Sequence, residues 1–118
     1  MSVSPSFRSF VLEQLARATP GIRARSIFGG VGIYAADLFF ALLDDDTMYF
    51  KVDAATRPRF VERGMEPFRP YGESGEVMGY YEVPADVLED PEALGVWVAA
   101  ALAVARRAKK RRPRRRGA

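Results

Sequence analysis

The feature that most constrains the fold is a glycine-rich stretch, Gly29-Gly30-Val31-Gly32, with apolar residues on both sides of it. Three glycines within four positions disfavour a helix, because each costs ~1 kcal/mol relative to alanine. Glycine instead permits a positive φ, a bulge or the close approach of another backbone segment. A phosphate-binding loop would need a lysine and a hydroxyl residue after the glycines, or a G-x-G-x-x-G helix start, and neither is present. The stretch therefore predicts a turn or bulge between two strands.

Apolar runs around this stretch predict a sheet of five or six strands. The uninterrupted run at 38–43 is typical of a central strand that is buried on both faces. Pro67 and Pro70 place the run at 66–71 at an edge of the sheet. Short turns between consecutive runs favour antiparallel pairing. The predicted strands are residues 22–28, 33–35, 38–43, 47–52, 66–71 and 77–83.

Two of the three predicted helices are recognised by their capping residues and apolar spacing. Ser4, followed by a proline, begins the first helix, and Gln14 is expected to lie off its apolar face. Asp53 or Thr56 begins the second helix, over residues 54–63. The positions expected to face the sheet are Phe7, Phe10, Val11, Leu15 and Ala18 in the first helix and Phe60 and Val61 in the second.

The third predicted helix begins at Asp90-Pro91 and is expected to reach about Arg112, where Pro113 ends it. A membrane span takes ~20 apolar residues, so the uncharged run of 13 residues at 93–105 indicates a buried core helix instead. Together the elements predict a two-layer α+β fold, with three helices packed mainly on one face of an antiparallel sheet. The expected buried stripe of the third helix is Leu94, Trp97, Val98, Ala101, Leu102 and Ala105.

The chain of 118 residues contains neither cysteine nor histidine. This composition excludes disulfides and thiolate metal sites, and it removes the commonest general base and metal ligand. The acidic triplet Asp44-Asp45-Asp46 lacks the spacing of a calcium-binding loop, which favours a solvated turn. We predict a protein without catalytic activity, bound metal or cofactor.

The formal net charge of +3 conceals two oppositely charged parts. Residues 1–105 contain nine basic and fifteen acidic residues, which leaves a net charge of −6, whereas residues 106–118 contain nine basic residues and no acid. This division predicts an acidic domain at 1–105 and a basic tail at 106–118 that is disordered after Pro113. The N-terminus lacks the basic and apolar segments of a signal peptide, so we expect a cytoplasmic protein without a membrane partner.

Several short motifs together resemble one family, the TfoX/Sxy proteins, which are bacterial regulators of competence for DNA uptake. The resemblance covers nearly all of residues 7–105 and concerns the N-terminal domain of those regulators. The motifs are RSIFGGVGIY at 25–34, FFAL at 39–42, YFKVD at 49–53, GMEPF at 64–68, GYYEVP at 79–84, and DPEAL at 90–94 with Trp97.

The resemblance implies a non-enzymatic regulatory or adaptor protein with an architecture similar to type III secretion chaperones. In the competence regulators a helical C-terminal domain follows, and the protein acts as a co-activator with a cyclic-AMP receptor protein. Here the resemblance is to the N-terminal domain alone, which implies a stand-alone relative. The motif positions for which we predict a structural role are Arg25, Phe28, Gly29, Gly30, Gly32, Tyr34, Lys51, Asp53, Tyr81, Pro84 and Trp97.

Lys51 and the strand aromatics are candidate binding or catalytic groups. Lys51 has no partner base in a recognisable motif, so an exposed strand lysine, able to pair with Asp53, is favoured over a nucleophile. Stacking platforms for single-stranded nucleic acid interleave aromatic rings with cations, and the strand regions carry few cations. Packing is therefore the favoured role of the rings, which are Phe28, Tyr34, Phe39, Phe40, Tyr49, Phe50, Phe68, Tyr80 and Tyr81.

The basic tail is the strongest electrostatic feature of the sequence. Its charges would bind phosphates with little sequence preference and strong salt dependence. Two alternatives stay open: a disordered, solubilising end, or a segment that folds back on the domain's own acids, such as the turn at 44–46. The residues predicted to contact DNA are Arg106, Arg107, Lys109, Lys110, Arg111, Arg112, Arg114, Arg115 and Arg116.

These observations predict a regulatory or adaptor protein that contacts DNA through its basic tail, with a transcription factor or another protein as a second partner. The alternative is a protein- or small-ligand-binding module of a different role, in which the tail only confers solubility. A dimer or an exposed apolar patch on the sheet would favour the alternative.

Overall fold

The computed structural model describes residues 3–27, 29–69 and 79–111, which form a five-stranded antiparallel sheet and four helices. Each strand pairs with its neighbour in sequence, in the order β1-β2-β3-β4-β5. The α+β prediction is confirmed, and the short helix α3 is added to the three helices expected. The elements are α1 Pro5–Ala18, β1 Ile22–Ile27, β2 Gly30–Ala35, β3 Leu38–Asp44, β4 Thr47–Lys51, α2 Arg57–Glu62, β5 Tyr80–Glu82, α3 Ala85–Leu88 and α4 Pro91–Arg111.

The main core lies between the helices and one face of the sheet. Side chains alternate between the two faces of a strand, and the face turned to the helices carries Ile33, Ala41 and Phe50, all fully buried. All four helices contribute to the same cluster, which gives the predicted two-layer arrangement. Their buried contributions are Val11, Leu15, Phe60, Val87, Leu88, Leu94, Val98, Ala101 and Ala105.

Helix α1 begins at the predicted cap but is rotated from the predicted orientation. The Ser4 hydroxyl accepts a hydrogen bond from the Phe7 amide at 3.2 Å. Phe10 was expected to be buried but is 39% exposed. Gln14 was expected off the buried face, yet it is buried, and its Nε2 donates to the Leu88 carbonyl at 2.9 Å. The reason is that α1 packs against α4 and the end of α3 as well as the sheet.

The glycine-rich stretch forms a turn and then the first half of a strand. Gly29 has a φ of +81° and lies in the turn, whereas β2 begins at Gly30, three residues before the predicted position 33. A Cβ added to Gly30 would lie 2.4 Å from the carbonyl oxygen of Leu43 on β3. Glycine is therefore required for the close approach of two strands. Phe28 lies outside the described residues.

Helix α2 is shorter than predicted, and it begins after Thr56. The Asp53 Oδ1 atom accepts hydrogen bonds from the amides of Ala55 and Thr56, both at 3.1 Å, so Asp53 organises the turn before the helix. Phe60 is buried as expected, but Val61 is 55% exposed, which corrects the prediction that both face the sheet. A helix of six residues presents only one side to the core.

Over residues 66–69, the described part of the predicted strand at 66–71, the strand is reduced to an isolated bridge between Pro67 and Tyr81. Proline cannot donate to a strand ladder, which limits the pairing. The last strand, β5, is described from Tyr80, and Gly79 before it is not part of the strand. Residues 70–78, which include the end of the predicted strand at 66–71 and the start of the one at 77–83, lie outside the described part of the chain.

Helix α4 follows the predicted start and extent closely. The Asp90 Oδ1 atom accepts a hydrogen bond from the Glu92 amide at 3.1 Å, and the helix continues to Arg111. Trp97 is only partly buried, and Val104 joins the buried residues although it was not predicted. Among the described residues, no helix is both long enough and apolar enough to cross a membrane.

Candidate functional site

The first basic residues of the predicted tail belong to the last turns of α4. The helix runs without interruption from the buried stripe into residues 106–111, which we call the basic end of α4. Four of its cations have described side chains: Arg106, Arg107, Lys109 and Lys110. The side chain of Arg111 and all of residues 112–118, with the predicted contacts Arg112, Arg114, Arg115 and Arg116, lie outside the described part of the chain.

Two of these cations contact acidic residues of the domain itself. Arg107 donates to Asp53 Oδ2 from Nε at 3.2 Å and from a terminal guanidinium nitrogen at 2.6 Å. Lys109 forms an ion pair with Asp37 in the turn between β2 and β3. The fold-back alternative is thus realised for two cations, at Asp37 and Asp53, whereas the example suggested from the sequence was the turn at 44–46. That turn lies at the other end of β3.

The other two cations do not contact these acids. Arg106 and Lys110 are four residues apart, and such residues lie on the same face of a helix. Both are exposed, and within the described residues neither has a hydrogen bond or an ion pair. Contacts with the domain's acids therefore divide the basic end of α4 into a pair held by the domain, Arg107 and Lys109, and a pair available to a ligand.

Asp53 connects the turn before α2 with the basic end of α4. Its Oδ1 atom organises the turn before α2, while its Oδ2 atom accepts both hydrogen bonds from Arg107. The hydrogen bonds from Arg107 lower the pKa of Asp53, against the opposing effect of burial. The carboxylate therefore stays charged at neutral pH. The sequence indicated Asp53 as a cap, but gave no signal for a partner 54 positions away.

A small cavity lies beside the ion pair of Lys109 and Asp37. It has a volume of ≈ 190 Å³ and is also lined by Phe39, Lys51 and Ala105. Lys51 is partly buried, and its Nζ atom lies 5.1 Å from the ring centroid of Tyr80. The structure thus brings Lys51 near the basic end of α4, a proximity that its position on a strand did not predict.

The sheet face opposite the helices carries a second, aromatic layer. The rings of Tyr34 and Phe39 stack with centroids 5.0 Å apart, and Phe39 lies 5.8 Å from Tyr80. Arg23 and Arg25 lie over Tyr34, at 5.8 and 6.0 Å from its centroid. Because these rings contact one another and the arginines, they serve packing within the sheet more than they offer open stacking surfaces.

The remaining motif positions make contacts inside the fold. Trp97 meets the ring of Phe60 edge-on at 4.9 Å, and Arg59 lies 5.2 Å from the Trp97 centroid. Tyr81 lies 6.1 Å from Phe60. Pro84 is buried, and its carbonyl accepts hydrogen bonds from the amides of Val87 and Leu88, the last two residues of α3. Within the described residues, no three acidic side chains are grouped as a metal site would require.

The family model of the TfoX N-terminal domain matches residues 13–105. No curated protein matches the chain. The matched region contains the sheet, the core and both acids that hold the basic end of α4, and it stops immediately before Arg106.

Proposed function

This chain belongs to the TfoX N-terminal domain family, and we propose that it is a non-enzymatic regulatory protein that binds DNA through the basic end of α4 and the residues that follow. The observation that carries the proposal is the exposed pair Arg106 and Lys110, at the C-terminal end of an otherwise acidic domain. The competence regulators that the sequence resembles supply the regulatory part of the proposal.

The electrostatics favour a phosphate backbone as the ligand. A cation that neutralises a phosphate releases condensed counterions, and this release supplies most of non-specific DNA binding. Residues 1–105 have a net charge of −6, so DNA is repelled from the body and attracted only at the end of α4. A helix end can follow the backbone or a groove without any defined pocket. Regulation then requires a protein partner, because phosphate contacts carry no sequence information.

The test uses two full-length variants that each remove four positive charges. One is Arg106→Gln, Arg107→Gln, Lys109→Gln and Lys110→Gln; glutamine preserves helix propensity. The matched control replaces Arg8, Arg17, Arg57 and Arg59 of the body by glutamine. Fluorescence anisotropy with a labelled duplex at several salt concentrations gives the affinity and its salt dependence.

We expect the tail variant to lose about tenfold or more in affinity at low salt, and its log–log salt slope to fall by ~0.9 for each phosphate contact removed. The body variant should keep the affinity and the salt slope of the unmodified chain. Equal losses would show that only the net charge matters, and unchanged binding by the tail variant would contradict the proposal. In that case reduced solubility of the same variant would support the alternative of a solubilising tail.

A further inference from the structure

We propose that the outer edge of β1 is a docking site for an extended peptide whose side chains alternate between apolar and acidic. The peptide would add a sixth antiparallel or parallel strand to the sheet, as in β-augmentation. This site is separate from the basic end of α4, and the proposal does not depend on DNA binding.

Among the described residues the edge of β1 is open, whereas the opposite edge of the sheet is covered. At β5, Pro67 bridges Tyr81, and the Phe68 amide donates to the Tyr80 carbonyl at 2.8 Å. β1 is the first strand of the order and pairs only with β2. In the described parts of the chain, no further backbone segment forms hydrogen bonds with it. Half of its amides and carbonyls therefore point outward, as a template for another strand.

A groove follows this edge on the helix side of the sheet. It has a volume of ≈ 330 Å³, and its side-chain walls are Leu12 and Ala16 of α1 and Ile22 and Ala24 of β1, while the connection at residues 19–21 adds polar groups to its lining. The side chains of an added strand would alternate, so every second one would enter this groove. Burying apolar side chains there stabilises the complex by ~25 cal/mol per Å² of apolar surface removed from water. The groove thus selects apolar residues at alternate positions.

Two arginines occupy the other side of the same strand. Arg23 and Arg25 are exposed and lie over the Tyr34 ring, and a guanidinium nitrogen of Arg23 donates to the Ala36 carbonyl at 2.5 Å. These contacts fix the arginines at the edge. Residues directly opposite on paired strands have Cβ atoms ~5 Å apart, and opposite charges there are favourable. The remaining positions of the peptide are therefore acidic.

Charge also argues against a second copy of this chain as the occupant. In an antiparallel pair of two β1 strands, Arg23 and Arg25 of one copy would lie beside the same arginines of the other. Like charges directly opposite each other destabilise a strand pair. A peptide that alternates acidic and apolar residues can pair with the arginines and also fill the groove. A second copy of the chain can fill only the groove.

The experiment measures binding of fluorescent synthetic peptides to the full chain. The probe is an eight-residue peptide alternating valine with glutamate, and its matched control alternates valine with lysine. We expect only the glutamate peptide to bind, with amide chemical-shift changes and slowed hydrogen exchange within Ile22–Ile27. Arg23→Glu with Arg25→Glu should weaken the glutamate peptide about tenfold or more and permit the lysine peptide to bind. Arg57→Glu with Arg59→Glu carries the same charge change elsewhere and should leave the preference unchanged.

A second variant keeps the test decisive if the charge reversal impairs folding. Ala16→Phe on the exposed side of α1 fills the groove and should abolish binding of the glutamate peptide. Three results would overturn the proposal. They are chemical-shift changes at residues 106–110 instead of β1, equal binding of the glutamate peptide by the β1 double variant and the control double variant, or retained binding of that peptide by Ala16→Phe. Concentration-dependent dimerisation through β1 in analytical ultracentrifugation would assign the edge to a second copy and would overturn it as well.

Discussion

Gly30 allows β2 and β3 to approach more closely than any side chain would permit. An added Cβ would lie 2.4 Å from the Leu43 carbonyl oxygen, which belongs to the backbone and cannot rotate away. We expect Gly30→Ala to lower the free energy of unfolding by ~1–3 kcal/mol, the usual cost of overpacking. Equilibrium urea denaturation measures the difference.

Gly95 on α4 is the control for this substitution. A Cβ there would lie 3.6 Å from the Ala18 carbonyl oxygen, an ordinary contact. Because alanine is the better helix former, Gly95→Ala should be neutral or stabilising by up to ~1 kcal/mol. If Gly30→Ala were as stable as Gly95→Ala, the close approach of the strands would not depend on glycine.

Tyr80 gives the protein a specific alkaline sensitivity. Burial, together with the nearby Tyr34, raises the pKa of Tyr80 from 10.0 to about 12. The folded state therefore favours the neutral phenol, and this stabilisation is fully present below pH 10 and is lost as the pH rises through about 12. We expect Tyr80→Phe to remove this part of the alkaline destabilisation. The wild-type absorbance titration at 295 nm, minus that of the variant, should have its midpoint near 12; a midpoint near 10 would mean that Tyr80 is solvated.

Helix α4 is held at its basic end by two carboxylates, which therefore compete with DNA for Arg107 and Lys109. We expect Asp37→Asn with Asp53→Asn to tighten DNA binding and to raise the salt slope by up to ~2, because two more cations become available. Asparagine keeps the Oδ1 acceptor that organises the turn before α2. Anisotropy titrations of the full chain measure both quantities.

The control for these carboxylates removes two acids that have no described contact with the basic end of α4. Glu62→Gln with Asp86→Asn changes the net charge equally, and Asp86 pairs with Arg63 instead. This variant should tighten binding only slightly, through the weaker repulsion of the body. An equal gain in both variants would mean that the contacts at Asp37 and Asp53 do not restrain the helix.

Sequence reasoning located most elements because helix caps and apolar runs are local signals. Ser4 and Asp90 were identified from residues within one turn, and their hydrogen bonds are present. The orientation of a helix depends on what it packs against, which is not local. The burial of Gln14 is therefore not predictable from the sequence. Its partner, the Leu88 carbonyl, belongs to the four-residue helix α3, for which the sequence has no strong signal.

The sequence predicts the positive charge of the candidate site but not the contacts that its cations make. The run of basic residues is visible in the sequence, and so is the helix that carries it to Arg111. Which cations are held depends on where α4 crosses the sheet. That crossing brings Arg107 to Asp53 and Lys109 to Asp37, contacts between residues 54 and 72 positions apart. No periodicity within α4 alone distinguishes them from Arg106 and Lys110.

At the scale of the whole molecule, charge is separated along the chain: −6 in residues 1–105 and +9 in residues 106–118. The body therefore repels the phosphates that the end of α4 attracts. A complex held by phosphate contacts alone has a salt slope of ~0.9 per contact. The four described cations of α4 account for a slope of at most ~4, and a larger slope requires the arginines that follow.

This separation predicts binding that depends strongly on salt and little on sequence. Two duplexes of equal length and unrelated sequence should bind with affinities within about threefold of each other, because phosphates are the same in both. Raising the salt from 50 to 200 mM should weaken both by roughly a hundredfold if four contacts form. Anisotropy titrations with both duplexes at each salt concentration measure these quantities. A preference of about tenfold or more for one sequence would require base contacts by α4, and a flat salt response would require contacts other than phosphates; either result would contradict the charge-separated arrangement as the basis of binding.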